Sequence, residues 1–123
     1  MFNSKKRINI VNLRGVIGDL GRFQKGLTID NTSQIIERAF THKKPHVVVI
    51  NINSPGGSPV QSELIYKKIR NFAEEKKVEV LTVAEDVAAS GGYMLMCSGD
   101  KLFANKSSIV GSIGVISASF GFK

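Results

Sequence analysis

The chain has 123 residues, 42% of them hydrophobic and 22% charged, with a net charge of +7. That length and balance suit one globular domain and exclude a disordered or fibrous chain. A single cysteine, Cys97, excludes an intrachain disulfide framework.

The apolar runs "VVVI" and "YMLMC" fall far short of the roughly 20 residues of a membrane span. The N-terminus, "MFNSKKRINI", has no apolar stretch followed by a small-residue cleavage site, so no signal peptide is visible. These features fit a cytoplasmic or peripheral membrane protein and leave the compartment open. Residues 1–44 hold nine Lys/Arg against three acids, which is six of the seven net positive charges. Such a face either is solvated or meets an anionic surface, including a membrane. With two tyrosines and no tryptophan, no basic-aromatic stripe marks a nucleic-acid binder.

In chain order, "INIVNLRGVI" (Ile8 to Ile17) alternates and is β-branched, which predicts a strand. Glycines 18, 21 and 26 predict a loop. A helix is expected from Asp30 or Asn31 as N-cap, with Ile35, Ile36, Ala39 and Phe40 on one face, ending before Pro45. "HVVVININ" (His46 to Asn53) is a nearly continuous apolar strand, as in a sheet covered on both faces. "SPGGSP" is a tight turn. Ser58 as cap, Pro59 at the first helical position and Gln61 as the capping-box partner then open a second helix to about Lys76. Its expected buried stripe is Leu64, Ile65, Ile69, Phe72 and Ala73. "VEVLTVA" (Val78 to Ala84) is a third strand, "SGGYMLMCSG" opens a short helix, and "KLFA" and "IGVISAS" (Ile113 to Ser119) are further strands. Alternating strands and helices predict an α/β fold with crossover connections and a mostly parallel sheet.

Sites in such sheets form at the carboxyl ends of the strands. Two glycine-rich turns fall there: Ser54-Pro55-Gly56-Gly57 and Ala89-Ser90-Gly91-Gly92. The pairing suits acyl transfer. Ser90 at a helix start sits among unpaired N–H groups, and the N–H of Gly91 can face an oxyanion on an acyl group. Gly56 or Gly57 can add a second donor, with no Cβ to keep the backbone away. The bland alternative is close helix-on-sheet packing with a capping serine. A phosphate cradle is a third use of such a turn, but neither G-x-x-x-x-G-K-[ST] nor G-x-G-x-x-G occurs.

These residues resemble the SppA/protease IV family of serine peptidases, which has a Clp protease/crotonase-like fold. The resemblance rests on "INSPGGSPVQSELIYKKI" (Ile52 to Ile69), "DVAASGGYML" (Asp86 to Leu95), "GDKLFANKSSIVGSIGVI" (Gly99 to Ile116) and "LRGVIG" (Leu13 to Gly18). It covers most of the chain from Ile8 onward. It implies Ser90 as nucleophile, and Gly57, with or without Gly56, and Gly91 as oxyanion donors. Asn53–Ser58 and the residues near Gly111 to Gly114 would flank an extended peptide substrate. It also implies a homo-oligomer and cleavage of peptides such as signal-peptide remnants or membrane-protein fragments.

The family's general base is a lysine well downstream of the serine. Lys123 precedes the segment that would carry it, so residues 1–123 are expected to be a single, C-terminally incomplete domain. Lys101, Lys106 and Lys123 lack the marks of a buried base. His42 and His46 precede the serine, against a Clp-like triad, and read as surface loop. Cys97 reads as a small core residue. No metal spacing occurs and no cofactor is expected. The alternative to a peptidase is a catalytically inactive domain that keeps a peptide-binding groove or an oligomerisation role. A crotonase-like acyl-CoA enzyme ranks last, because it gives no reason for the serine.

Overall fold

The structure is a computed structural model that describes residues 6–22 and 24–111. Five strands and three helices follow one another as β1 (Ile8–Arg14), α1 (Ile29–Thr41), β2 (Val47–Ser54), α2 (Pro59–Lys76), β3 (Glu79–Ala89), α3 (Gly91–Met96), β4 (Lys101–Ala104) and β5 (Ile109–Gly111). The strands form one parallel sheet in the order β1-β2-β3-β4, with β5 also on β3. β4 pairs with the first half of β3, at Leu81 to Ala84, and β5 with its end, at Val87 to Ala89.

Stepping one strand at a time in one direction with right-handed crossovers puts every helix on the same face. The burial follows. Val11, Leu13, Val48, Ile50, Ile52, Val80 and Ala84 point to that face and meet Ile36, Phe40, Ile65, Ile69 and Leu95 in one core. Phe40 of α1 stacks on Phe72 of α2, with ring centroids 5.7 Å apart. At about 25 cal/mol per Å2 of apolar surface, each fully buried Ile or Leu contributes roughly 2 kcal/mol. The other face carries no helix among the described residues. Ile8, Ile10 and Phe103 are exposed on it, and Val49, Leu81 and Val83 are half-buried. Among the described residues, the expectation of a β2 covered on both faces is therefore met on one face only.

The helix starts differ in detail from the sequence reading. α1 is capped by Thr28, and Asn31 closes the capping box from the third position instead of serving as the cap. Ile35 lies outside the buried face and is exposed. In α2, Ser58 accepts from the Gln61 N–H at 3.1 Å, but the Gln61 side chain accepts from the Ile29 N–H at 2.8 Å. The Ser58 N–H donates to the Ile17 carbonyl, so a tertiary contact replaces half of the expected box. Leu64, expected on the buried stripe, is exposed, while Ile65, Ile69 and Ala73 are buried.

β3 runs five residues beyond its predicted end. Ile52 pairs with Ala84 and Ser54 with Ala88, so one residue of β2 faces three of β3. Asn53 spans this bulge by accepting from the Val87 N–H at 3.1 Å, and Glu85 turns out to meet Arg14 at 3.1 Å. The bulge bends β3 and carries its last residues to the end of β2. β5 was not predicted as a strand. The predicted strand Ile113–Ser119 and Lys123 lie outside the described residues.

Candidate active site

The bend in β3 brings the two glycine-rich turns together at the carboxyl end of the sheet. A Cβ placed on Gly56 would lie 2.8 Å from Ser90 Cβ, from the Gly91 nitrogen and from the Ala89 carbonyl oxygen. No side chain fits there, and Gly56 has φ +101°. The smallness of "AASGG" has a matching cause. A Cβ on Gly92 would run into the Ser54 carbonyl, and one on Gly91 into the Ser62 hydroxyl. Small residues let α3 sit directly on the end of β2, so the packing role and the placement of Ser90 are one feature.

Ser90 has φ 55° and ψ −120°, a conformation strained for any residue with a Cβ. It is the corner where β3 turns sharply into α3. Such a strand-to-helix corner lifts a serine hydroxyl out of the sheet. The backbone is held on both sides. The Ser90 N–H donates to the Gly111 carbonyl at 3.0 Å, and the Ser90 carbonyl accepts from Tyr93 and Met94. The side chain is half-buried and makes no capping hydrogen bond, so the capping alternative is not realised. Replacing Ser90 by glycine should relieve the strain, while alanine keeps it. After the entropy that glycine adds to the unfolded chain, a net gain of about 1 kcal/mol is expected. Thermal unfolding should then show Ser90→Gly melting about 4 °C above Ser90→Ala. Equal midpoints would mean the corner stores no strain.

The donors divide unequally. The Gly56 N–H is already bonded to the buried Ser54 Oγ at 3.0 Å. Its carbonyl accepts from Ile17 at 2.9 Å, so both backbone groups of Gly56 are already bonded. Gly57 is exposed with φ +147°, and its N–H finds no acceptor among the described residues. The same holds for Gly91 at the first position of α3. α3 has only six residues, so the unpaired N–H matters there more than any summed helix dipole. Three residues given no role of their own in the sequence reading organise the turns: Ile17, bridged to Gly57, Ser54, which fixes Gly56 from within the predicted turn, and Ser62, which donates to the Ser58 carbonyl at 2.7 Å. "NSPGG" signalled the turn, but only the fold shows Ile17 crossing it.

His42 and His46 are exposed at the opposite end of the sheet, where His46 Nδ1 accepts from the Arg7 N–H. Lys101 pairs with Glu79 at 3.5 Å, and Lys106 is exposed on the turn after β4. Cys97 is exposed at the end of α3, against the expectation of a core residue. One helical turn after Tyr93, it holds the phenol above its usual pKa, first through the charge of its thiolate, then through a hydrogen bond, with burial adding to both. Among the described residues no group of His, Cys, Asp or Glu could hold a metal, and no helix is long and apolar enough to cross a membrane. The cavity of about 430 Å3 between the β3 bulge and β4 is lined by Glu85, Asp86 and Phe103 and does not reach Ser90.

A parallel α/β sheet with a strained serine at a strand end, beside a second glycine turn, has the Clp protease/crotonase-like fold, as the solved structures below bear out. The model of peptidase family S49 matches residues 72–123. Protease 4 of Haemophilus influenzae is 31% identical over 114 residues, 93% of this chain and 18% of that protein. A stretch of the protein named Na+/H+ antiporter NhaA from Brucella melitensis is 53% identical over 116 residues, 94% of this chain and 16% of that protein. Among solved structures, a serine-to-alanine mutant of the 1510-N membrane-bound stomatin-specific protease superposes with TM-score 0.67 at 16% identity, covering 86% of this chain and 47% of that one. A lysine-to-alanine mutant of the same protease, in complex with a substrate peptide, gives 0.64 at 17% identity, covering 86% and 44%. The chain thus spans less than a fifth of the length of these two sequence relatives and under half of the solved chains. In sequence and fold together it is related to the SppA/protease IV serine peptidases of family S49.

Proposed function

We propose that this chain carries the nucleophile and oxyanion donors of a serine endopeptidase of the SppA/protease IV type. The observation behind the reading is the strained corner at Ser90, held against the Gly56–Gly57 turn with two unspent N–H groups nearby. Ser90 Oγ attacks the scissile carbonyl carbon while a general base takes its proton. By the family's serine–lysine dyad, that base is a lysine from outside the described residues. The negative charge that develops on the carbonyl oxygen is met by the N–H groups of Gly57 and Gly91. The C–N bond then breaks, the amine leaves with the proton, and water hydrolyses the acyl-serine. An extended peptide would add along β5, beside Ser90, through main-chain hydrogen bonds. Signal-peptide remnants and membrane-protein fragments are the proposed substrates, and a homo-oligomer the proposed working form.

The test is labelling with a fluorophosphonate, which reacts only with an activated serine. The polypeptide as its cell makes it should label, and the Ser90→Ala variant should not. Equal labelling of both would overturn the assignment. No labelling of either, with peptide still bound, would favour the inactive peptide-binding domain.

A further inference from the structure

Among the described residues, four other than glycine have positive φ, and three of them are lysines: Lys43 at 56°, Lys44 at 47° and Lys77 at 55°. Each stands where a helix ends and the chain turns into a strand, positions usually given to glycine or asparagine. Lys43 and Lys44 join α1 to β2, and Lys77 ends α2 before β3. Parallel strands gather these turns at one pole, the amino-terminal end of the sheet. Lys6 and Arg7 lead into β1 at the same pole, and Lys76 ends α2 there. All six basic side chains are exposed. Lys76 alone has a described acid partner, Glu75 at 3.7 Å. Arg7 also ties the turn to β1 by donating to the Lys43 carbonyl at 3.0 Å.

We infer that this pole is a docking surface for an anionic bilayer. Adjacent strands are about 4.8 Å apart, so the three turns form a continuous row along the start of β1, β2 and β3. A row of flexible, mostly unpaired cations suits a plane of anionic headgroups, to which each Lys or Arg adds independently. Ile8, 56% exposed, lies at the same edge and gives the contact an apolar component. Lys44 and Lys76 also flank a cavity of about 350 Å3 lined by Pro45 and Val78, a cationic rim over an apolar floor. Nucleic acid fits less well, because among the described residues the pole presents no exposed Phe or Tyr ring for bases to stack on; Phe40, at its edge, is 1% exposed. Docking this way turns Ser90 away from the membrane, roughly 30 Å off at the far end of β3.

The test is co-sedimentation with vesicles of phosphatidylcholine containing one third phosphatidylglycerol, at low and high salt. The variant Lys43→Asn/Lys44→Asn/Lys77→Gly removes three charges with residues that tolerate the left-handed conformation, so the fold should hold; a thermal melt checks it. Partitioning should weaken about 100-fold. Lys25→Gln/Lys67→Gln/Lys106→Gln, which removes as much charge elsewhere, should weaken it far less. Wild-type binding should fall steeply with salt. Equal weakening by the two variants, binding that persists at high salt, or capture of single-stranded RNA without vesicle binding would each overturn the inference.

Discussion

Ser90→Ala is expected to lower peptide hydrolysis by about 10^4- to 10^6-fold in any peptide-cleaving polypeptide that contains this chain. The reason is local. Alanine keeps the Cβ, and so the strained corner, the packing of α3 on β2 and the hydrogen bonds that hold residue 90 to Gly111 and Tyr93. Only the attacking oxygen is lost, and with it the acyl-enzyme route. The Gly57 and Gly91 N–H groups remain and can still favour direct attack by water, which accounts for the residual rate. The proposed binding of a peptide along β5 would not use the hydroxyl, so KM should change little. Steady-state rates on a fluorogenic peptide, with a thermal melt to confirm the fold, give both quantities. A loss of less than about tenfold would assign the chemistry to another group.

Gly57→Ala is expected to destabilise the domain by about 3 kcal/mol. Two costs combine. The residue has φ +147°, which an L side chain rarely adopts, and the new Cβ would run into the Ile17 carbonyl oxygen and lie 3.0 Å from that residue's carbonyl carbon and nitrogen. All three are backbone atoms, fixed by Ile17 N–H to Gly56 O at 2.9 Å and Ser58 N–H to Ile17 O at 2.8 Å. Relief therefore requires breaking the bridge that holds the Gly56–Gly57 turn against Ser90. A domain of this size is stable by roughly 6–18 kcal/mol, so the loss is a large share. The melting midpoint should fall by about 12 °C. Gly21→Ala is the control: φ is +98° there but nothing lies within 4 Å, so only the backbone cost of about 1 kcal/mol remains. Equal midpoints for the two variants would show that the contact with Ile17 is unimportant.

The alternation of strand and helix patterns was enough to predict a parallel α/β sheet, because apolar spacing and helix stops such as Pro45 are local properties. Ser90 and its glycines were legible for the same reason: few uses other than close packing or a reactive corner call for five small residues in a row. What local spacing could not supply was anything that depends on a partner distant in sequence. Gln61 left its capping box for the Ile29 N–H, and Thr28 displaced Asp30 and Asn31 as cap, once the loop before α1 packed beside α2. β3 ran on to Ala89 because β5 and the Asn53 side chain pair with its last residues, and neither partner is encoded near them.

The choice between Gly56 and Gly57 was likewise tertiary. Local spacing treats them alike, and only the family resemblance put Gly57 first. The fold gives the Gly56 N–H to Ser54 and leaves that of Gly57 without a described acceptor. The basic character of the first 44 residues was plain from composition, yet its position was not. Parallel strands collect the chain's reversals at two poles, and that geometry sets Lys43, Lys44 and Lys77 at one end and Ser90 at the other. Sequence alone thus determined the fold type and which serine to examine. The tertiary structure decided which backbone donors lie unspent beside it, because an N–H is free or bonded according to which distant carbonyl or hydroxyl the fold brings to it.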